Sequence, residues 1–298
     1  MGRPYKQLVD ECEADIRAGR IARVAAKFKT LNRTKIPREW CVQLAKLCRR
    51  AGLNSLGLRI LTPIVQSQQR PQSQEPTGAE LAEYAILLQR NGSVQEALKI
   101  LSLTSLESLP ETHLYKAFCY FSRWEYELSL QSLETYFKGE LSKYERLTGL
   151  VNLAAAYTIT GRHDMALASA QHSLELARLG GHVRLEANSL ELLAQIHLQA
   201  GENANASRCI YEALKLLDAA DVHDTLFLRK WLSWIKAIEL NSPAPLRALR
   251  EEAIQRRHWE TAREADMLSL RIAFDSKLYA HLVFGTPYPA YRTPPIHA

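Results

Sequence analysis

Asn152-Leu-Ala-Ala-Ala-Tyr-Thr-Ile-Thr-Gly161-Arg-His-Asp-Met-Ala166-Leu-Ala-Ser-Ala170 is the stretch whose spacing decides the fold. A small residue, Ala154, is followed seven places on by Gly161, five further by Ala166 and four further by Ala170. The pattern recurs from Ala45 (Gly52, Gly57, Leu61), Ala85 (Gly92, Ala97, Leu101), Ala117 (Trp124, Ser129, Leu133) and Ala194 (Gly201, Ala206, Ile210). Successive copies start 40, 32, 37 and 40 residues apart. Periods of this size indicate stacked helical hairpins, each unable to bury its apolar face alone.

Two antiparallel helices need a tight turn, and glycine supplies the left-handed backbone that ends the first of them at low cost. The small residues flanking that turn let the two helix backbones approach closely, and the residue four places later returns to the same seam. Five copies in register therefore read as five helix pairs. Residues 5–35 hold Cys12, Ile16, Gly19, Val24, Phe28 and Leu31 at similar offsets, a divergent opening pair. Thr225–Leu240 reads as a helix broken by Asn241-Ser-Pro-Ala-Pro245, because proline cannot sit inside a helix. Further helices are expected over Leu246–Gln255 and from Trp259 towards Phe274. Six or seven pairs result, and no alternating run reads as a strand.

The segments Asn152–Tyr157, with Gly161, Ala166, Ala170 and Ser173, and Leu193–His197, with Gly201, Ala206, Ile210 and Ala213, resemble the tetratricopeptide repeat. The resemblance spans residues 36–218, and its copies 40 residues apart look like a long-repeat variant. It implies an all-α, right-handed α-solenoid of stacked antiparallel pairs over residues 1–284, with degenerate helices from 224 and a Pro/Tyr-rich tail at 285–298. Trp124 departs from the family at the turn, and Lys116 stands where an apolar residue usually precedes the small one.

The resemblance also implies that the first helix of each pair lines a groove for a partner. Helical offsets then assign to it Gln43, Lys46, Arg49, Arg50, Glu83, Ile86, Gln89, Arg90, Tyr115, Phe118, Phe121, Asn152, Thr158, Ile159, Asn188, Glu191, Gln195 and Gln199. Amides of Asn and Gln can bond both the N–H and the C=O of an extended peptide. Equal spacing would place the aromatic trio Tyr115, Phe118 and Phe121 in the core instead. Family members that grip a terminal carboxylate surround a groove Asn with Lys and Arg; around Asn152 stand Glu111, Leu114, Tyr115, Phe118, Asn188 and Leu192, so that function is not implied.

Charge is uneven. Residues 1–70 hold 15 Lys and Arg against 5 Asp and Glu, a net +10, while the chain as a whole is +6. Three readings are open for this third: a solvated face, a docking patch for an acidic protein, or a surface for nucleic acid or anionic membrane. Lys46 and Arg49 lie one turn apart and can share a face. No aromatics interleave with these cations and no helix-turn-helix motif is present, which disfavours nucleic acid.

Phosphate-binding glycine loops, His-Glu-x-x-His and cysteine pairs at zinc spacing are all absent from the sequence, so neither catalysis, a cofactor nor a metal is expected. Asp164, after the turn Gly161, reads as a helix cap. Five cysteines (Cys12, Cys41, Cys48, Cys119, Cys209) on expected helices read as reduced buried thiols in a cytoplasmic protein. No apolar run reaches the ~18 residues of a membrane span. The Pro/Tyr-rich tail favours an extended polyproline-like form that grooves and small adaptor domains recognise; the alternatives are that it covers the apolar end, Ile272–Phe284, or that this end pairs two copies of the chain. The expected function is a protein-binding adaptor; the alternative is a sensor whose superhelix changes pitch on binding a signalling protein or peptide.

Overall fold

The computed structural model describes residues 3–66, 75–217 and 222–273. Most of the polar connection expected over Gln66–Gly78, the apolar end beyond residue 273 and the tail lie outside the described residues. Fifteen α-helices and two short 3-10 turns make up the described regular structure, and no strand occurs among those residues. The chain divides into two compact units: residues up to Asn152 with Leu179–His182, and Leu153–Arg178 with residues from Val183 onward.

In the first unit, α1 (Arg3–Arg17) packs on α2 (Ile21–Lys29) and on α3 (Arg38–Arg50). Then come α4 (Asn54–Val65), α5 (Gly78–Arg90), α6 (Val94–Leu101), α7 (Pro110–Ser122) and α8 (Tyr126–Tyr136). Each helix packs on the next from α3 to α8, and α3, α5 and α7, the leading helices of successive pairs, also pack on one another. The next pair, α9 (Lys143–Ile159) and α10 (His163–Gly180), supplies residues to both units. In the second unit α11 (Val183–Gln199) packs on α12 (Asn203–Leu216), α12 on α13 (Val222–Glu239), and α13 on both α14 (Ala244–Gln255) and α15 (Trp259–Ala273).

The repeated sequence pattern is the packing seam. Ala45, Ala85, Ala117, Ala154 and Ala194 are buried, as are Gly57, Ala97, Ser129, Ala166 and Ala206. Leu61, Leu101, Leu133 and Ile210 close the seam, and each fully buried side chain of this size contributes about 1.5–3 kcal/mol. The Ser129 hydroxyl donates to the Ala117 carbonyl at 3.0 Å, tying the two small positions of the third copy together.

The turn position behaves identically in all five copies, including the irregular one. Gly52, Gly92, Gly161 and Gly201 have φ of 73°, 94°, 72° and 77°, and Trp124 follows them at 66°. Trp124 thus takes the left-handed conformation that costs an L side chain about 1–2 kcal/mol. The same device ends further helices at Gly19, Asn241 and Arg257, so the hairpin rule extends to both ends of the described chain.

Capping is local and explicit at α5. Thr77 accepts from the Glu80 backbone N–H, and the Glu80 carboxylate accepts from the Thr77 N–H at 2.7 Å, a reciprocal capping box. All five cysteines are free and buried. Burial raises the Cys12 and Cys41 thiols to about 11 and Cys119 to about 12, so these three are protonated at neutral pH.

Candidate functional site

Three leading helices of the first unit bring charged and aromatic residues together across one repeat each. From the last turn of α3, Arg49 donates through Nε to Glu83 Oε1 on α5 at 2.8 Å and through Nη2 to Glu83 Oε2 at 3.4 Å. The same Nη2 reaches the Tyr115 hydroxyl on α7 at 3.1 Å, and that hydroxyl donates to Glu83 Oε2 at 2.8 Å. Glu83 is completely shielded from solvent and Arg49 nearly so. Burial opposes the charge on Arg49, but Glu83 and Tyr115 more than offset it and hold the guanidinium firmly protonated. Burial, beside the Glu83 carboxylate, pushes the Tyr115 phenol well above its usual range.

Beside this triad lies a cavity of about 270 Å³ within the first unit. Six residues assigned to the groove from sequence offsets line it: Gln43, Lys46, Arg49, Arg50, Tyr115 and Phe118. Others were not marked by the repeat pattern: Glu13 on α1, Glu111 and Leu114 on α7, and Tyr144, Glu145 and Thr148 on α9. Arg50 donates from Nη1 to both Glu13 oxygens at 2.7 Å, and its guanidinium lies 4.5 Å over the Tyr144 ring. Lys46 approaches Glu111 at 3.7 Å, the loosest of these pairs.

The basic face expected on α3 is therefore corrected: Arg49 and Arg50 are buried in ion pairs rather than displayed to solvent. Other cations of the basic third are matched too. Arg20 and Lys27 meet Asp15, and Arg38 grips Glu80 through Nε and Nη2 at 2.8 and 2.7 Å. Glu80, Glu83 and Glu111 lie beyond residue 70, so a count restricted to residues 1–70 could not see them.

Arg90, the last residue of α5, is placed differently. Its guanidinium lies 5.3 Å over the Phe118 ring, while Nε and Nη2 are buried without a hydrogen-bond partner. Burial first, then repulsion from Arg49, lowers its pKa to about 10. The neighbouring Gln89 is also buried with its Oε1 unpartnered. Tyr115, Phe118 and Phe121 are all core residues, as the packing alternative anticipated.

On α9, Asn152 donates to the Thr148 carbonyl at 2.8 Å, and its Oδ1 is buried without a partner, as is Thr148 Oγ1. In the second unit, Asn188 is half-buried with an unpartnered Nδ2. Glu191 and Gln195 are buried; Glu191 accepts from Trp231 Nε1 at 2.8 Å and from Gln195 at 3.3 Å. Glu191 thus ties α11 to α13, while Gln195 bonds Glu191 on its own helix. Gln199 donates to the Thr158 carbonyl at 3.2 Å. Ile86, Thr158 and Ile159 are buried.

Among the described residues no group of three His, Cys, Asp or Glu is placed to hold a metal ion. Nor is any described helix long and apolar enough to cross a membrane. Short-connected helix pairs, with small residues in the seams and polar side chains on the leading helices, define a helical-repeat protein. The tetratricopeptide repeat family model matches residues 145–219, the span of α9 to α12, and these residues carry that repeat. A solved tetratricopeptide repeat protein from Parabacteroides merdae ATCC 43184 is similar in fold: TM-score 0.51 and 16% identity, covering 90% of this chain and 100% of that one. No curated protein matches the chain in sequence.

Proposed function

We propose that the chain is a non-catalytic scaffold that docks a protein or peptide on the leading helices of its repeats. Tetratricopeptide repeats generally mediate protein–protein interaction, and residues 145–219 match that family. One observation carries the reading: unmet hydrogen-bonding capacity is concentrated on leading helices. Buried polar atoms without partners belong to Trp40 and Arg50 on α3, Gln89 and Arg90 on α5, Thr112 on α7, Thr148 and Asn152 on α9, and Asn188 and Gln199 on α11. On the trailing helices α4 to α12 the corresponding atom is Asn54 Oδ1 alone among the described residues; the others lie at Arg250 and Glu264.

Each such group costs about 1–3 kcal/mol while it stays unpaired. An extended backbone, with a donor and an acceptor at every residue, suits half-buried groove amides such as Asn188. The test is a peptide-display selection on the purified chain, followed by hydrogen-exchange mapping with the selected peptide. Protection on α3, α5 and α7 with α4, α6 and α8 unchanged supports the reading. Protection confined to the trailing helices, or no selected binder, rejects it.

A further inference from the structure

We infer that the cavity between α1, α3, α7 and α9 seats a basic side chain of the docked partner. This rests on the docking reading above and names one contact within it. The cavity is open to solvent: the Glu13, Lys46 and Glu111 side chains on its wall are 40%, 38% and 24% exposed, and Gln43 and Ser142 are exposed beside them. At about 270 Å³ it has room for a side chain rather than a single water.

Charge decides the occupant. Arg49 is paired with Glu83, and Arg50 gives Nη1 to both Glu13 oxygens, so those two cations are matched one for one. The lining then leaves Lys46 against two carboxylates, Glu111 and Glu145. Lys46 stands 3.7 Å from Glu111, too far for a good hydrogen bond. Glu145 accepts from the Ser142 N–H at 2.8 Å, a capping bond, and meets no cation among the described residues. Both acids act on one phenol, that of Tyr136, which also lines the cavity. After burial, Glu145 and Glu111 push that hydroxyl up, each by more than the exposed Arg146 pulls it down. The two carboxylates thus converge on the same part of the cavity with one loosely held lysine between them and neutrality.

A separate observation marks the site as incomplete. Thr148, three residues from Glu145 on α9, is 6% exposed, lines the cavity and has its Oγ1 without a partner. An ammonium or guanidinium carries several donors, so it can serve a carboxylate and this hydroxyl together. Half-buried Val9 and Tyr144 on the wall suit the apolar stem of such a side chain.

The experiment titrates the full-length chain with the peptide acetyl-Ala-Ala-Arg-Ala-Ala-amide, following threonine methyl and backbone amide signals by NMR. The Thr148 methyl and the amides of Glu111 and Glu145 are expected to move and saturate. The peptide with norleucine in place of arginine is expected to bind at least ten-fold more weakly. Glu111→Gln and Glu145→Gln should each weaken binding about ten-fold, and glutamine at 145 keeps the cap with Ser142. Lys46→Met should tighten binding about three-fold by removing the competing cation, whereas at a site built for acids it would weaken binding.

Cavity signals silent towards the arginine peptide, while display-selected peptides still protect α3, α5 and α7, would overturn this inference and leave the docking reading standing. Silence towards both would overturn the two together. Norleucine binding as tightly as arginine, a glutamate peptide moving the same signals, weaker binding in Lys46→Met, or free spermidine outbinding the peptide would also overturn it.

Discussion

Glu83→Ala is the perturbation that bears most directly on how the leading helices are joined. Removing the carboxylate leaves Arg49, 9% exposed, without its acceptor at 2.8 Å and takes away the acceptor of the Tyr115 hydroxyl. Breaking a buried ion pair from one side costs about 3–5 kcal/mol, because the orphaned charge stays desolvated. The Tyr115 hydroxyl can still accept from Arg49 at 3.1 Å, so its loss overlaps with the first and is not added in full. A cost of about 4 kcal/mol corresponds to a fall of roughly 8–16 °C in the transition of a unit of some 150 residues. Thermal and urea unfolding, followed by circular dichroism at 222 nm, measures it. The decisive control is Arg49→Met with Glu83→Leu, which removes both charges and should recover to within about 1 kcal/mol of the parent. A single-variant cost below about 1 kcal/mol, or a double variant as unstable as the sum of its parts, would refute the reasoning.

Gly149→Ala should destabilise by about 1–3 kcal/mol, since the added methyl would lie 2.7 Å from Tyr136 Cε1 and 2.8 Å from Phe137 Cζ, and Tyr136 is locked in the core; denaturant midpoints check this. Trp124→Gly should stabilise by about 1 kcal/mol by relieving the left-handed strain at φ 66°, read as a rise in midpoint at constant slope. Acid sensitivity should centre on Glu80: burial raises its carboxyl, but the hydrogen bond from Arg38 and those from Thr77 outweigh burial and hold it below the usual range. With the folded pKa depressed, its stabilisation is complete above the unfolded pKa near 4 and is lost as pH falls through the folded value, so Glu80→Gln should flatten the stability profile below about pH 4.5.

The seam was legible because it depends on size and period alone. A small residue, a left-handed turn residue and a second small residue recur at fixed offsets, and burial follows wherever they do. Trp124 shows that backbone geometry persists where side-chain preference lapses: five copies in register impose the turn, and the tryptophan accepts the strain. Gly149 escaped notice because its reason is a pair of aromatic rings at the end of α8, Tyr136 and Phe137, not a repeat position. Helical offsets put Arg49 and Arg50 on an open basic face, whereas both are buried. Helical offsets fix which side of a helix a residue occupies; whether that side is wet depends on acids such as Glu83, 34 residues away. One signal was available: Glu83 and Tyr115 each stand two places before the small residue of their copy, facing Arg49 one and two copies earlier.

The polarity of these helices is not explained by stability. Apolar residues of similar volume would hold α3, α5 and α7 together as well as a buried ion pair does, or better. The trailing helices take that course, with Leu61, Leu101 and Leu133 in their seams. Among the described residues most unmet donors and acceptors of the first twelve helices lie on the other helix of each pair, where the fold is weaker for it. Arg49 and Glu83 at least satisfy one another, and so report on register between repeats. Arg90 meets the Phe118 ring, and its Nε and Nη2 are buried without a hydrogen-bond partner among the described residues. The difference between those two arginines, set on successive leading helices, is that one is held by an acid 34 residues away and the other by the face of an aromatic ring.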